Sequence, residues 1–171
     1  FLKNVTIKVI KERFNMAKKK SSTKNLIFFI GLLCALLSIV LFLILDVFSI
    51  SIPVLGDLTF KGTEFIFGCK TQYLESEMLK FNYVALIMVL LPVLGIILAL
   101  CAKKSTLMNC IAALLILAGG IMMFILPQFA SIGYSDVLAV LNLKATLAIG
   151  SIIGGILNSL AFLLVFYAKV I

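Results

Sequence analysis

Residues 26–45 read LIFFIGLLCALLSIVLFLIL, twenty residues without a charge. At 1.5 Å per residue a helix of that length is about 30 Å long, the thickness of a bilayer's hydrocarbon core. The rest of the chain is built the same way. Of 171 residues, 63% are hydrophobic and 13% charged, with mean hydropathy +1.25. That charged share is about half that of a soluble domain. A chain this size cannot hide so much apolar surface in a soluble core. The expected fold is an all-α membrane protein: a bundle of four transmembrane helices with a short extracellular β-ribbon between the first and second.

The helices are expected at about 25–48, 81–102, 106–126 and 143–167, with outer loops at 49–80 and 127–142. The first is too long for the roughly 7–15 apolar residues of a cleaved signal, and no small-x-small site follows it. Pro92 falls inside the second, where a membrane helix tolerates it if neighbours re-satisfy the freed carbonyl. Pro127 is expected to stop the third. The short Lys103–Ser105 turn makes helices two and three antiparallel neighbours.

Lysine placement sets the orientation. Lys18, Lys19, Lys20, Lys24, Lys103, Lys104 and Lys169 fall on one side. On the other, Lys61, Lys70, Lys80 and Lys144 are offset by Asp57, Glu64, Glu75, Glu77 and Asp136. The positive-inside rule then puts both termini in the cytoplasm of a multi-pass plasma-membrane protein. The net charge of +8 reads as topology signal and not as a nucleic-acid surface. Residues 1–15, FLKNVTIKVIKERFN, read as translated leader ahead of a Met16 start, or as a disordered or amphipathic arm. Lys11-Glu12-Arg13 can be encoded as a purine-rich ribosome-binding site, and without these fifteen residues the net charge falls from +8 to +5. Residues 16–171 are expected to form a single four-helix domain.

Lipid gives apolar side chains no reason to leave it, so membrane helices associate through close packing of small residues. The fourth helix carries two adjacent columns, Gly150, Gly154, Asn158 and Ser151, Gly155, Ser159. Gly95 and Ala99 offer a similar face on the second. These are expected to pack within the bundle, with a homodimer face as the alternative. Asn158 is the strongly polar residue at depth, expected to hydrogen-bond across the bundle.

The outer segment 51–80 reads SIPVLGDLTFKGTEFIFGCKTQYLESEMLK. Thr, Phe and Ile enrichment between Gly56-Asp57 and Gly68 predicts strand, divided at Gly62 into two arms of a hairpin. Two strands alone are marginal in water, so the ribbon is expected to lie on the helix ends. Residues 73–80 have a helix-friendly composition. Phe60, Phe65, Phe67 and Tyr73 are candidates to face a partner or to sit at headgroup level.

The chemistry is sparse. His is absent, removing the commonest general base and metal ligand. No Asp, Glu, Lys, Arg or His falls in the central part of a predicted helix, where an ionisable residue would mark a functional site. Asp46, near the outer end of the first helix, is a weak candidate ion site; its plainer reading is a headgroup-level residue pairing with Lys80 or Lys144. Of Cys34, Cys69, Cys101 and Cys110, Cys69 alone is expected outside, so it has no intramolecular partner there. No phosphate loop, metal cluster or nucleophile-base set is present. No catalytic residue, cofactor or metal is expected.

A long first outer loop beginning as strand, a minimal inner turn and a shorter second outer loop resemble claudins in topology. The claudin Trp-Gly-Leu-Trp-Cys-Cys pattern is missing, with no Trp in the chain and only Cys69 in that loop, so the resemblance implies no paracellular sealing. GTEFIFG at 62–68, followed by Phe81-Asn82 opening helix two, is similar to small tetraspan proteins of Gram-positive-type bacteria, a group that implies topology and no activity. The function expected is non-enzymatic: a structural or accessory protein of the lipid bilayer that binds a membrane or envelope partner, or itself, through the outer loop or helix four. A small oligomeric transporter or channel subunit is the alternative.

Overall fold

The first apolar run leaves the helix earlier than its hydropathy suggests. The computed structural model describes residues 2–52, 56–70, 77–102, 105–134 and 144–169, with side chains from Thr23 onward except those of Ile52 and Glu77. Helix α1 covers Leu2–Ile44, and strand β1 covers Asp46–Ile52. From Phe48 the side chains change period. Phe48 and Ile50 are fully buried, while Ser49 is half-buried and Ser51 exposed. An alternation of two fits a strand with one face on a core.

β1 pairs antiparallel with β2 (Gly56–Lys61), in register from Ile52 opposite Gly56 to Phe48 opposite Phe60, with the register shifted at Val47 before Asp46 meets Lys61. The ribbon is therefore one element earlier than expected. Gly62, assigned above to the hairpin turn, instead opens the short helix α2 (Gly62–Phe67). The Glu64 carboxylate accepts the Lys61 backbone N–H at 2.9 Å, which starts that helix. Glu64 and Ile66 were expected in strand; the cap at Lys61 and burial of both Phe65 and Ile66 suit a helical turn. Strand β3 (Cys69–Lys70) pairs with β4 (Glu77–Leu79), which replaces the end of the helix expected at 73–80. Residues 71–76, Tyr73 among them, lie outside the described residues.

Helix α3 (Tyr83–Cys101) contains Pro92, and α4 (Thr106–Phe124) follows the short turn as expected. Pro127 does not stop α4, which ends at Phe124. It lies in the first turn of the small helix α5 (Leu126–Ala130), where its missing N–H costs nothing. A 3₁₀ turn, Ser131–Gly133, comes next. The fourth span begins later than expected, because Ala145–Leu147 forms β5 before α6 (Ile149–Lys169). β5 pairs antiparallel with β1, giving a three-stranded sheet in the order β2-β1-β5.

Among the described residues, four helical spans are long and apolar enough to cross a membrane: Thr23–Ile44 of α1, α3, α4 and α6. Only 39% of each span is buried. The remainder faces outward, the surface that a bilayer covers. On α3 the outward positions Tyr83, Ile87, Leu90, Leu94 and Ile97 form one stripe at helical spacing. The helices touch in the order α1, α6, α4, α3, and a smaller contact between α1 and α3 closes the ring.

Two clusters fill the interior. One lies at the end away from the sheet and includes Phe28, Ala35, Ala112, Ala161 and Val165. At that end the Lys169 ammonium sits 4.5 Å from the centroid of the Phe28 ring. The other cluster fills the sheet end and runs from Met88 and Met123 up to Phe48, Phe60 and Phe65. The Phe48 ring stacks on Phe60 at 5.0 Å and meets Phe65 edge-on at 4.9 Å. The three-stranded sheet and α2 thus form a cap with an aromatic centre, set on one end of the bundle.

Candidate functional site

Two places could carry function: a polar seam inside the bundle and the outer face of the cap. The seam begins where the cap joins the bundle. Ala148 N–H donates to the Val47 carbonyl at 3.1 Å, and the Ser151 hydroxyl donates to the same oxygen at 2.7 Å. The first turn of α6 is thereby tied to β1. Further in, the Ser38 hydroxyl of α1 donates to the Gly154 carbonyl of α6 at 2.7 Å. The Asn158 amide N–H contacts the Met123 sulfur at 3.6 Å, a weak acceptor. The Asn158 side-chain oxygen is buried with no partner. Ser159 donates back to the Gly155 carbonyl of its own helix at 2.8 Å.

The small-residue columns are closed by this chain's own helices. A Cβ on Gly150 would stand 2.7 Å from the Asp46 carbonyl oxygen. On Gly154 it would stand 2.9 Å from the Met123 sulfur, and on Gly155 2.6 Å from the Phe124 ring. Gly95 of α3 meets Ile116 and the Ala112 carbonyl of α4 in the same way, and Ala99 is 4% exposed. The columns therefore pack within the protomer. On α6 the glycines of these columns meet the Asp46 backbone, Met123 and Phe124 of the same chain. Asn158 does lie at a helix crossing, but its expected bond across the bundle reaches only a thioether.

Asp46 stands half-buried at the head of β1, with its backbone in register opposite Lys61. Among the described residues, cavities lined by Cys69, by Tyr134 and by Thr59 open on the cap, and Asp46 lines none of these. Among the described residues, no three His, Cys, Asp or Glu side chains gather as a metal site.

The cap's outer face differs from expectation in which aromatics it shows. Phe60 (5% exposed) and Phe65 (0%) are not available to a partner, because they form the aromatic centre around Phe48. Alternation with Thr59 and Lys61 carried the inward signal of Phe60; Phe65 lies in α2 beside the equally buried Ile66, where no alternation marks it. Phe67 is outward at 68%, as expected. Two further aromatics at the same level, Phe81 and Tyr83, are also exposed; they were read only as the opening of the second membrane helix. Between them Asn82 is fully buried. Its side-chain oxygen accepts the Val84 and Ala85 N–H groups at 3.0 and 3.2 Å, and its own N–H donates to the Ile66 carbonyl at 3.0 Å. Gly133 packs on the Asn82 amide, and Lys80 N–H donates to the Gly133 carbonyl at 2.8 Å. One N-cap residue thus joins α2, α3 and the turn after α5.

Cys69 lies half-buried between two of the cap cavities, and its thiol is free. Burial pushes its pKa up, and the Glu64 carboxylate pushes it further the same way, against a smaller opposing effect of a backbone hydrogen bond at Leu79. No family model, curated protein or solved structure matches the chain.

Proposed function

We propose that this is a non-enzymatic structural or accessory protein of the plasma membrane, with both termini in the cytoplasm, whose cap engages a membrane or envelope partner from outside. The observation that carries the reading is an edge of the cap sheet to which no further strand pairs among the described residues. β2 is an outer strand in the order β2-β1-β5, and Asp57, Thr59 and Lys61 on it are exposed. An edge strand held on a packed cap presents unpaired backbone donors and acceptors to an extended partner segment. The bundle supports the same reading from the other side. Its interior is closed by glycine and alanine contacts, and the polar groups in the seam are neutral serines and an asparagine. The orientation rests on the lysine asymmetry, with Lys24 and Lys169 at the end away from the sheet.

Photo-crosslinking in cells from benzoylphenylalanine at Thr59 tests this. A discrete adduct from Thr59, with none from the outward-facing Ile152 of α6, is expected. A Thr59 probe that yields only the diffuse background of the Ile152 probe would overturn it.

A second reading, a small transporter or channel subunit, is favoured by one detail, the unpartnered Asn158 oxygen beside Ser38 and Met123. Solute flux in proteoliposomes that changes on Asn158→Ala or Asp46→Asn would favour it over the accessory role.

A further inference from the structure

The cavity at the junction of β3, β4 and α3 combines features that point to one ligand. It holds about 190 Å³ and is lined by Phe67, Gly68, Cys69, Lys70, Lys80 and Phe81 among others. Its floor is backbone. Gly68 adopts φ 85, and a Cβ there would stand 2.5 Å from the Leu79 carbonyl oxygen, so β3 and β4 approach closely only because residue 68 is glycine. The two lysines of the rim are exposed, and Phe67 and Phe81 beside them are 68% and 54% exposed. Glu77 stands opposite Lys70 in the β3–β4 ladder, and Glu64 lines the neighbouring cavity on the other side of Cys69, so the rim lysines have acidic neighbours as well.

This cavity stands at the head of a lipid-facing surface. Phe81 is followed at once by the outward stripe of α3 that starts at Tyr83 and continues through Ile87, Leu90 and Leu94. Aromatic residues at the end of such a stripe sit at headgroup level. A ligand with its anionic group between Lys70 and Lys80 would therefore have its apolar part on Phe67, Phe81 and the stripe below. The positive end of α3 starts two residues beyond Phe81 and adds to the attraction for an anion. Neither ammonium need be otherwise unpaired, since each carries three donors.

We propose that this cavity binds the phosphate headgroup of an anionic phospholipid, the acyl chains lying along the outward stripe of α3. It is a site for a bilayer component and stands whichever partner the β2 edge takes.

The test uses the full-length chain in nanodiscs of phosphatidylcholine alone, or of phosphatidylcholine and phosphatidylglycerol in equal parts. Cys69 lines the cavity, so a seated headgroup shields its thiol from a maleimide. Cys101, exposed at the far end of α3, reports the general effect of an anionic surface on any thiol. The readout is the alkylation rate of Cys69 relative to Cys101, resolved by peptide mass spectrometry. Phosphatidylglycerol is expected to lower this ratio by about fivefold or more, the attraction of a single basic side chain near an anionic surface. Lys70→Gln with Lys80→Gln should abolish the difference, and Lys70→Arg with Lys80→Arg should keep it. Lys144→Gln, at a separate cap cavity, should leave it unchanged. An equal ratio in the two lipids for the wild-type chain overturns the proposal without any variant, so a double mutant that fails to fold does not shelter it. Protection by inorganic phosphate in pure phosphatidylcholine would make this a free-anion site and would also overturn the lipid assignment.

Discussion

The bundle and the cap solve the same problem with opposite means. In the bundle, lipid removes the hydrophobic drive between helices, and close approach does the work. Gly31 lies against Leu164 and Val165, Gly120 against Asn158, and Gly119 against Pro92. In the cap, large side chains fill a small core, with Phe48, Phe60 and Phe65 in ring contact and Ile50 and Ile66 beside them. Each such ring contact is worth about 0.5–1.5 kcal/mol beyond the area it buries. The difference teaches that one chain can carry two packing codes, glycine against a neighbouring helix where the surroundings are lipid and large-to-large where they are water. The joint between the two codes is where the chain is least forgiving.

The largest effect is expected at that joint. Gly62 opens α2 directly against α1, and a Cβ on it would land on the Phe42 backbone carbonyl. Neither backbone can step aside as a flexible side chain would. Gly62→Ala should cost about 3 kcal/mol or more, at or beyond the upper end of ordinary overpacking. Gly56 provides the contrast: it has φ 80, but a Cβ there meets nothing within 4 Å. Gly56→Ala should cost only the left-handed backbone penalty, about 1–2 kcal/mol. Unfolding in mild detergent measures both. If Gly56→Ala proves the more damaging, the joint is not the rigid element assigned here.

Asn82 sharpens the comparison from the α3 side. Removing its cap leaves the Val84 and Ala85 N–H groups without their acceptor and takes the seat from under Gly133. Asn82→Ala should cost about 1–2 kcal/mol, and Asn82→Asp, which keeps the accepting oxygen but loses the amide donor to the Phe129 carbonyl and buries a carboxylate, no less. Hydrogen exchange should localise the loss of Asn82→Ala to the cap and the first turn of α3. Uniform loss along α3 would mean that cap and bundle unfold as one unit.

What was legible beforehand follows the same division. Four spans, the short turn between α3 and α4, and internal packing by the glycine columns could be read because lipid imposes uncharged runs of one length and leaves small residues as the packing signal. The cap could not be read as well, because its elements are short and share the apolar composition of the spans. The run from Leu26 is interrupted only by Asp46, and the apolar Val47 and Phe48 beyond it look like its continuation. Only the alternation Phe48, Ser49, Ile50, Ser51 marks the strand. β5 is three residues long, and its pairing partner lies about a hundred positions earlier, with Thr146 and Ser49 hydroxyls 2.7 Å apart. No local pattern encodes such a pairing. Phe60 and Phe65 were placed on the outside because a loop of a membrane protein was not expected to own a core.

The smallest stability effect is expected in the middle of the bundle, where a polar residue contributes least. Asn158 leaves its side-chain oxygen unpartnered and gives its N–H to a thioether 3.6 Å away. A buried acceptor with no donor carries its desolvation cost without return, so an apolar replacement of similar size removes a penalty along with a weak bond. Asn158→Leu should therefore fall within about 1 kcal/mol of wild type, even though the residue is fully buried. Ser38→Ala loses a 2.7 Å bond to the Gly154 carbonyl and should cost about as much as a typical interhelical bond in a membrane, near 0.6 kcal/mol. Of the two, the short serine bond should matter at least as much as the asparagine. Thermal unfolding of both variants in one detergent decides the order. A large loss for Asn158→Leu would mean that its free oxygen holds a partner in the membrane, such as a bound water or a transported solute, and would shift the weight from the cap to the seam.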